Sequence, residues 1–236
     1  MSPTINLAEI DSDGAVRDAH ANALESLQSG DTRLGFLRKT AITGAGAMSA
    51  GALLSALTPG GALAASGGRP PASFGKGDIG ILNYALTLEY LEAAFYNGAS
   101  ATSMSLNAQT ATFLKVVTRD ENAHVAFLKK HLGSKAAKEP KFDFKGTNTN
   151  PEMFMKTSQV LENTGVHAYS GQALNIKTAA YVKAAVSILT VEARHASVIG
   201  LLNDPSGEAI APDGPFDTPL TAAKVLAAVK ETGFVV

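Results

Sequence analysis

Glu121 and His124, and again Glu192 and His195, stand three residues apart within stretches otherwise apolar enough to be buried: TRDENAHVAFLKKHL from Thr118 and ILTVEARHASVIGLL from Ile188. On a helix such pairs share a face. Glu192 and His195 fall on the stripe of Ile188, Leu189, Ala196 and Ile199, and Glu121 and His124 on that of Leu114, Val117, Val125 and Leu128. A carboxylate on a core-facing stripe is costly unless a partner meets it. Two further acids sit in similar surroundings, Glu89 in LTLEYLEAAFY and Glu162 in QVLENTGVHAY. Aligning Leu88-Glu89 with Leu161-Glu162 sets Tyr96 against Tyr169 and Gly98 against Gly171, with Glu121 and Glu192 at nearly equal distances downstream. Each half of the chain thus offers one Glu and then a Glu-x-x-His. A two-fold axis relating the halves would converge Glu89, Glu121, His124, Glu162, Glu192 and His195 on one centre. That donor set suits a pair of divalent ions: two nitrogen ligands, bridging oxygens, and open positions for water or dioxygen. Charge points the same way, because four buried carboxylates alone would take up protons or open the core, whereas two divalent cations bring four compensating charges.

Other residues near these positions have weaker claims. Glu92, one turn beyond Glu89, is an alternative or additional ligand, and its counterpart in the second half is Gly165. His167 is off the main stripe and reads as a surface histidine or one that supports a ligand. Tyr96 and Tyr169, two turns beyond their Glu, either hydrogen-bond a ligand, act as redox partners, or are ordinary core tyrosines, the last being the commoner case. Asp120 and Arg194 either orient ligands or form solvated ion pairs. His131 reads as a cation at a helix C-terminus before Gly133.

Four long helices are needed to carry the six groups. The first is predicted from an N-cap at Asp78 to Gly98, and the second over about Asn107 to Leu132, stopped by Gly133. Asn150-Pro151-Glu152 opens the third, which runs to about Leu174; the fourth begins at Lys177 or Thr178 and ends before Asn203-Asp204-Pro205. Thr218-Pro219 opens a short final helix, whose Leu220, Val225, Leu226 and Val229 suit it to capping one end of a bundle. The connection Ala99–Leu106 is short, so the first two helices are antiparallel. Ser134–Asn150 is different: about 17 extended residues span up to about 55 Å, enough to pass a helix of roughly 36 Å and set the third helix parallel to the second. The expected fold is therefore all-α, a four-helix bundle with one long crossover between helices 2 and 3 plus a short C-terminal helix.

Composition agrees. The chain has 236 residues, 45% hydrophobic content and a formal charge of -1, so nothing marks it for nucleic acid. It has no Cys, which excludes disulfides and thiolate metal sites, and no Trp. Residues 1–31 read as a mobile arm. In residues 32–64, Arg33, Arg38 and Lys39 precede an apolar stretch from Ala41 to Leu57, and the small-residue sequence Ala62-Leu63-Ala64 follows, which is the order of an export signal. Arg33–Arg38 resembles a twin-arginine signal in Phe36, Leu37 and Arg38, although Leu34 stands where the second arginine belongs. Residues 65–77 form a linker, 78–203 the bundle, and 204–236 a loop and the last helix.

The segments LTLEYLEAAFY, RDENAH and VEARHA resemble the ferritin-like superfamily of di-iron carboxylate proteins, and more closely its desiccation-related, twin-arginine-exported branch. The likeness covers about Asp78 to Leu202. It implies a ferritin-like bundle with Glu89, Glu121, His124, Glu162, Glu192 and His195 as metal ligands, loaded with two divalent ions, iron first and manganese as the alternative. The leading expectation is a di-metal protein outside the cytoplasm, periplasmic or secreted, oxidising ferrous iron or consuming peroxide or dioxygen in stress protection. The rival expectation is a non-catalytic stress or desiccation protein whose bundle is held together by bound metal. A membrane enters only through an uncleaved signal, association of copies is left open, and iron storage would need a shell of subunits that no feature supplies.

Overall fold

The computed structural model describes residues 68–236. The arm at 1–31, the signal-like segment at 32–64 and the start of the linker lie outside the described residues. Five helices follow in order: α1 Gly77–Ser100, α2 Ala108–Leu132, α3 Pro151–Gln172, α4 Ala179–Asn203 and α5 Ala222–Thr232. Among the described residues there is no strand, only an isolated antiparallel bridge between Phe142 and Val235.

The capping residues explain most of the boundaries. Asn107 accepts from Thr110 N at 2.8 Å to open α2, and Asn150 accepts from Met153 N at 3.0 Å to open α3 with Pro151 in its first turn. Gly133, at φ 55°, ends α2 where a side chain would be strained. Three expectations need correction. Asp78 is not the cap of α1; Lys76 holds that place, and the Asp78 carboxylate instead accepts from Lys177 N at 3.0 Å and Thr178 N at 2.8 Å, fastening the approach to α4 onto the first turn of α1. Gly98 does not stop α1, which continues to Ser100, because its missing side chain serves packing: a Cβ there would lie 2.3 Å from Asn148 Nδ2. The last helix opens at Thr221, which caps Lys224 N, and not at Thr218; its Ala222 and Val225 pack against Tyr84 and Leu88 of α1 and Ala168 of α3, along the flank of the bundle.

Pairings along the helices fix their directions. Asn97 meets Asn122 and Ser100 meets Thr118, so α1 and α2 are antiparallel. Tyr96 reaches Glu162 and Tyr169 reaches Glu89, which makes α1 and α3 antiparallel as well. The helices α2 and α3 are therefore parallel, and the segment between them must travel the length of the bundle. On the way Phe144 packs edge-on to Phe95 and Phe234, with ring centroids 5.3 Å away in each case. The final residues then strap it down, with Asp143 N donating to Phe234 O at 2.8 Å and Val236 N to Lys141 O at 3.0 Å.

Helix α1 is buried on nearly every side, as its near-uniform apolar sequence requires. Helix α4 is long and apolar enough to cross a membrane by length and composition, yet its Glu192 and His195 face the bundle interior. One aromatic and aliphatic cluster around Phe95, Phe113 and Phe154 fills one end of the bundle, and another around Leu86, Leu128 and Ile188 fills the other. Between them lies a layer of charge.

Candidate metal centre

Each of the four long helices brings acids to that layer. Glu89, Glu121, Glu162 and Glu192 are 0% exposed, and His124 and His195 are 9% and 5% exposed. Their donor atoms form two overlapping groups, Glu89, Glu121, His124 and Glu192 in one and Glu121, Glu162, Glu192 and His195 in the other, with the atoms of each within 4.8 Å of one another. All six residues singled out by spacing are thus brought together. The structure adds a distinction that spacing did not reveal: Glu121 and Glu192, from the two Glu-x-x-His helices, belong to both groups.

His124 Nδ1 lies 3.2 Å from Glu89 Oε2, from Glu121 Oε2 and from Glu192 Oε1. His195 Nδ1 lies 3.1 Å from Glu121 Oε1 and 3.2 Å from Glu162 Oε2. A ring nitrogen carries at most one hydrogen, so it cannot bond three carboxylates at once. Donors held at about 2.1 Å from one ion lie roughly 3.0–3.4 Å from each other, which is the spacing found here. Correspondingly, Glu89 Oε2, Glu121 Oε1, Glu162 Oε2, both oxygens of Glu192 and His195 Nδ1 are buried without a hydrogen-bond partner. Native interiors rarely leave so many polar atoms orphaned, and a cation among them would satisfy all of them. The cluster fits a divalent metal.

Residues around the centre orient it. His195 Nε2 is 3.2 Å from Asp120 Oδ2, so the carboxylate takes the Nε2 hydrogen and leaves the Nδ1 lone pair directed inward, as metal-binding imidazoles require. Asp120 is itself held by Arg119 at 2.7 Å. The tyrosines are not ordinary core residues: the Tyr96 hydroxyl donates to Glu162 Oε1 and the Tyr169 hydroxyl to Glu89 Oε1, each crossing from its own half of the molecule to the other. His167 faces away and meets Asp213 at 3.2 Å, His131 donates to Phe127 O in the last turn of α2, and Arg194 donates to Thr190 O. None of these three touches the centre. Glu92, 3% exposed, belongs to neither tight group but stands beside them.

Without cations the cluster meets its charge with protons. Burial, followed by the charge of Glu121, pushes Glu192 well above the carboxylate range, and burial with the charges of Glu192 and Glu121 does the same to Glu92. Burial raises Glu121 to about 7 despite the opposing influence of the adjacent His124 and His195 imidazoles. Burial works against protonation of His195, yet Glu121 and Glu162 outweigh it and lift the imidazole to about 11; His124 is raised in the same way by Glu121, Glu192 and Glu89. Burial also raises Glu89, but the His124 hydrogen bond and charge overcome it, and Glu89 ends below its usual value.

A groove of about 750 Å³ between α2 and α4, lined mostly by apolar side chains such as Phe113, Val117, Val191 and Val198, leads to Asp120 and His195. It gives the centre a face toward the exterior.

The family model of the ferritin-like domain matches residues 77–204, a span that holds all six converging residues. No curated protein matches the chain significantly.

Proposed function

Because the chain belongs to the ferritin-like domain family, we propose that its six central residues hold two divalent ions, and that the protein uses them to oxidise ferrous iron or to react with dioxygen or peroxide. Glu89 and His124 would serve one ion, Glu162 and His195 the other, and Glu121 and Glu192 would span both. Iron is the first candidate and manganese the second, since oxygen donors with two imidazoles suit both. When bound, such ions supply open coordination positions and one-electron redox capacity. The chain's own residues do the rest. The four carboxylates balance charge, Asp120 fixes His195, Tyr96 and Tyr169 hold Glu162 and Glu89 in place, and the apolar groove favours entry of a small uncharged oxidant over bulk water. The observation that carries this reading is the gathering of unpartnered carboxylate oxygens around two inward-facing imidazole nitrogens.

The test begins with the full chain reconstituted with ferrous iron without oxygen, its metal content counted by elemental analysis, and then exposed to air or peroxide. Two irons per chain and a rise in ferric absorbance within seconds are expected. No bound metal after reconstitution would end the proposal. The second reading is a non-catalytic, desiccation-related protein in which metal only ties the helices, and it draws on the fact that the centre joins all four of them. In that case absorbance stays flat in air while chelation still lowers the melting temperature sharply, as loss of any ligand specific to the folded state must.

We also place the protein outside the cytoplasm, in the periplasm or secreted, from the order of basic, apolar and small residues between Arg33 and Ala64. Cell fractionation with N-terminal sequencing of the recovered protein checks this, a new N-terminus after Ala64 being the expected result.

A further inference from the structure

Glu92 and Gly165 occupy equivalent positions in the two halves of the chain, one turn beyond Glu89 and Glu162. A side chain on Gly165 would collide with the centre, because its Cβ would stand 2.7 Å from Glu192 Oε2 and 3.3 Å from Glu92 Oε1. The Glu92 and Glu192 carboxylates, from α1 and α4, therefore share the space that the absent side chain of α3 leaves open. Both Glu192 oxygens lack a hydrogen-bond partner, and Glu192 is 0% exposed. The charges acting on Glu92 are those of Glu192, Glu121, Glu162 and Glu89, all of the same sign as its own. A leucine or glutamine would occupy this interior at far lower cost. The position becomes intelligible if a cation lies within its reach.

Resting on the metal-centre reading above, we propose that Glu92 is a seventh donor to the centre, an oxygen ligand that reaches the ions from α1 through the gap left by Gly165. The second half has no such donor. The two ion positions are thus unequal in oxygen donors despite the repeat, and the centre fills in two steps of different affinity.

Manganese(II) is the probe, titrated into the full chain against a chromophoric chelator, with the electron paramagnetic resonance of the bound ion as a second readout. Wild type is expected to bind in two unequal steps. E92Q removes the charge and keeps the size, whereas E92D keeps the charge and withdraws the oxygen; as ligand variants, both should weaken one step by about ten-fold or more and alter the resonance of the remaining ion. G165A should do likewise although alanine is the better helix former. If E92D binds as wild type does and only E92Q is weaker, Glu92 acts through charge alone and the ligand role is overturned. Unchanged affinity and resonance in all three variants overturn it as well, while leaving the six-residue centre standing. A wild type that binds no manganese overturns the seventh-donor proposal, and one that binds no ferrous iron either defeats the six-residue centre as well.

Discussion

Tyr96 and Tyr169 do the same work for opposite halves: each hydroxyl holds the carboxylate of the other half's single Glu. Removing either hydroxyl strands an acceptor in a closed core, so Y96F and Y169F should each destabilise the protein by about 1–3 kcal/mol and weaken metal binding by roughly ten-fold or more. Urea denaturation and metal titration measure the two effects, and wild-type behaviour in both would refute the orienting role. These tyrosines also mark where reading by local spacing stops. Glu121, His124, Glu192 and His195 were legible because a charged pair on an apolar stripe contradicts its surroundings. A tyrosine on such a stripe contradicts nothing, and its partner lies on another helix. The available signals are the place of each tyrosine two turns beyond a Glu and the repeat alignment that sets Tyr96 against Tyr169. Asp120 was readable only as one of two options, because its bond to His195 depends on how α2 and α4 pack.

Gly98 of α1 and Gly171 of α3, also equivalent in the repeat, are sites of close approach between helix and connecting chain. A Cβ on Gly98 would meet the Asn148 side chain at 2.3 Å, and one on Gly171 would meet the Leu220 backbone oxygen at 1.8 Å. Side chains can move aside more easily than backbone. G171A should therefore cost more than G98A, on the order of 2 kcal/mol or more, even though alanine favours a helix by about 1 kcal/mol over glycine. Thermal melts of the two variants decide it, and a stabilised G171A would contradict the packing. Helix existence and order are legible from periodicity, from the stop at Gly133 and from the Asn150-Pro151 opening, whereas the cap at Asn107 emerges only in the structure. The helix ends differ from the local signal at Asp78 and Gly98 because each residue is used instead for a contact with a distant segment, whereas the Thr218 N–H donates to Asp213 Oδ2 within the loop before α5.

At the scale of the molecule, the long crossover was readable from its length alone, since only a parallel α2 and α3 require it. The buried charge layer makes the whole bundle sensitive to pH. Glu121, at about 7 in the folded protein against an ordinary 4.5, and Glu192 and Glu92, also raised well above that ordinary value, bind protons that the unfolded chain has released. Their contribution to the stability of the metal-free form is therefore fully present below about pH 4.5 and is lost as pH rises. His195 adds to the trend: its contribution is complete below 6.5 and drains away toward about 11. Glu89, shifted down, acts in the opposite sense only below its ordinary value. The Glu121 shift alone corresponds to roughly 3 kcal/mol, so melting of the metal-free protein should drop by about 5–10 °C between pH 5 and pH 8. Bound cations replace those protons and should abolish the drop; calorimetry of both forms checks the sign, and a metal-free protein that gains stability with pH would refute it. The strap on the crossover has a separate consequence for biosynthesis. Phe142 pairs with Val235, and α3, α4 and α5 all intervene between them. On the ribosome, both helix pairs have been made before the strap can be fastened, so Phe142 waits for Val235, and Phe144, although Phe95 is already present, waits for Phe234 until synthesis has passed α5.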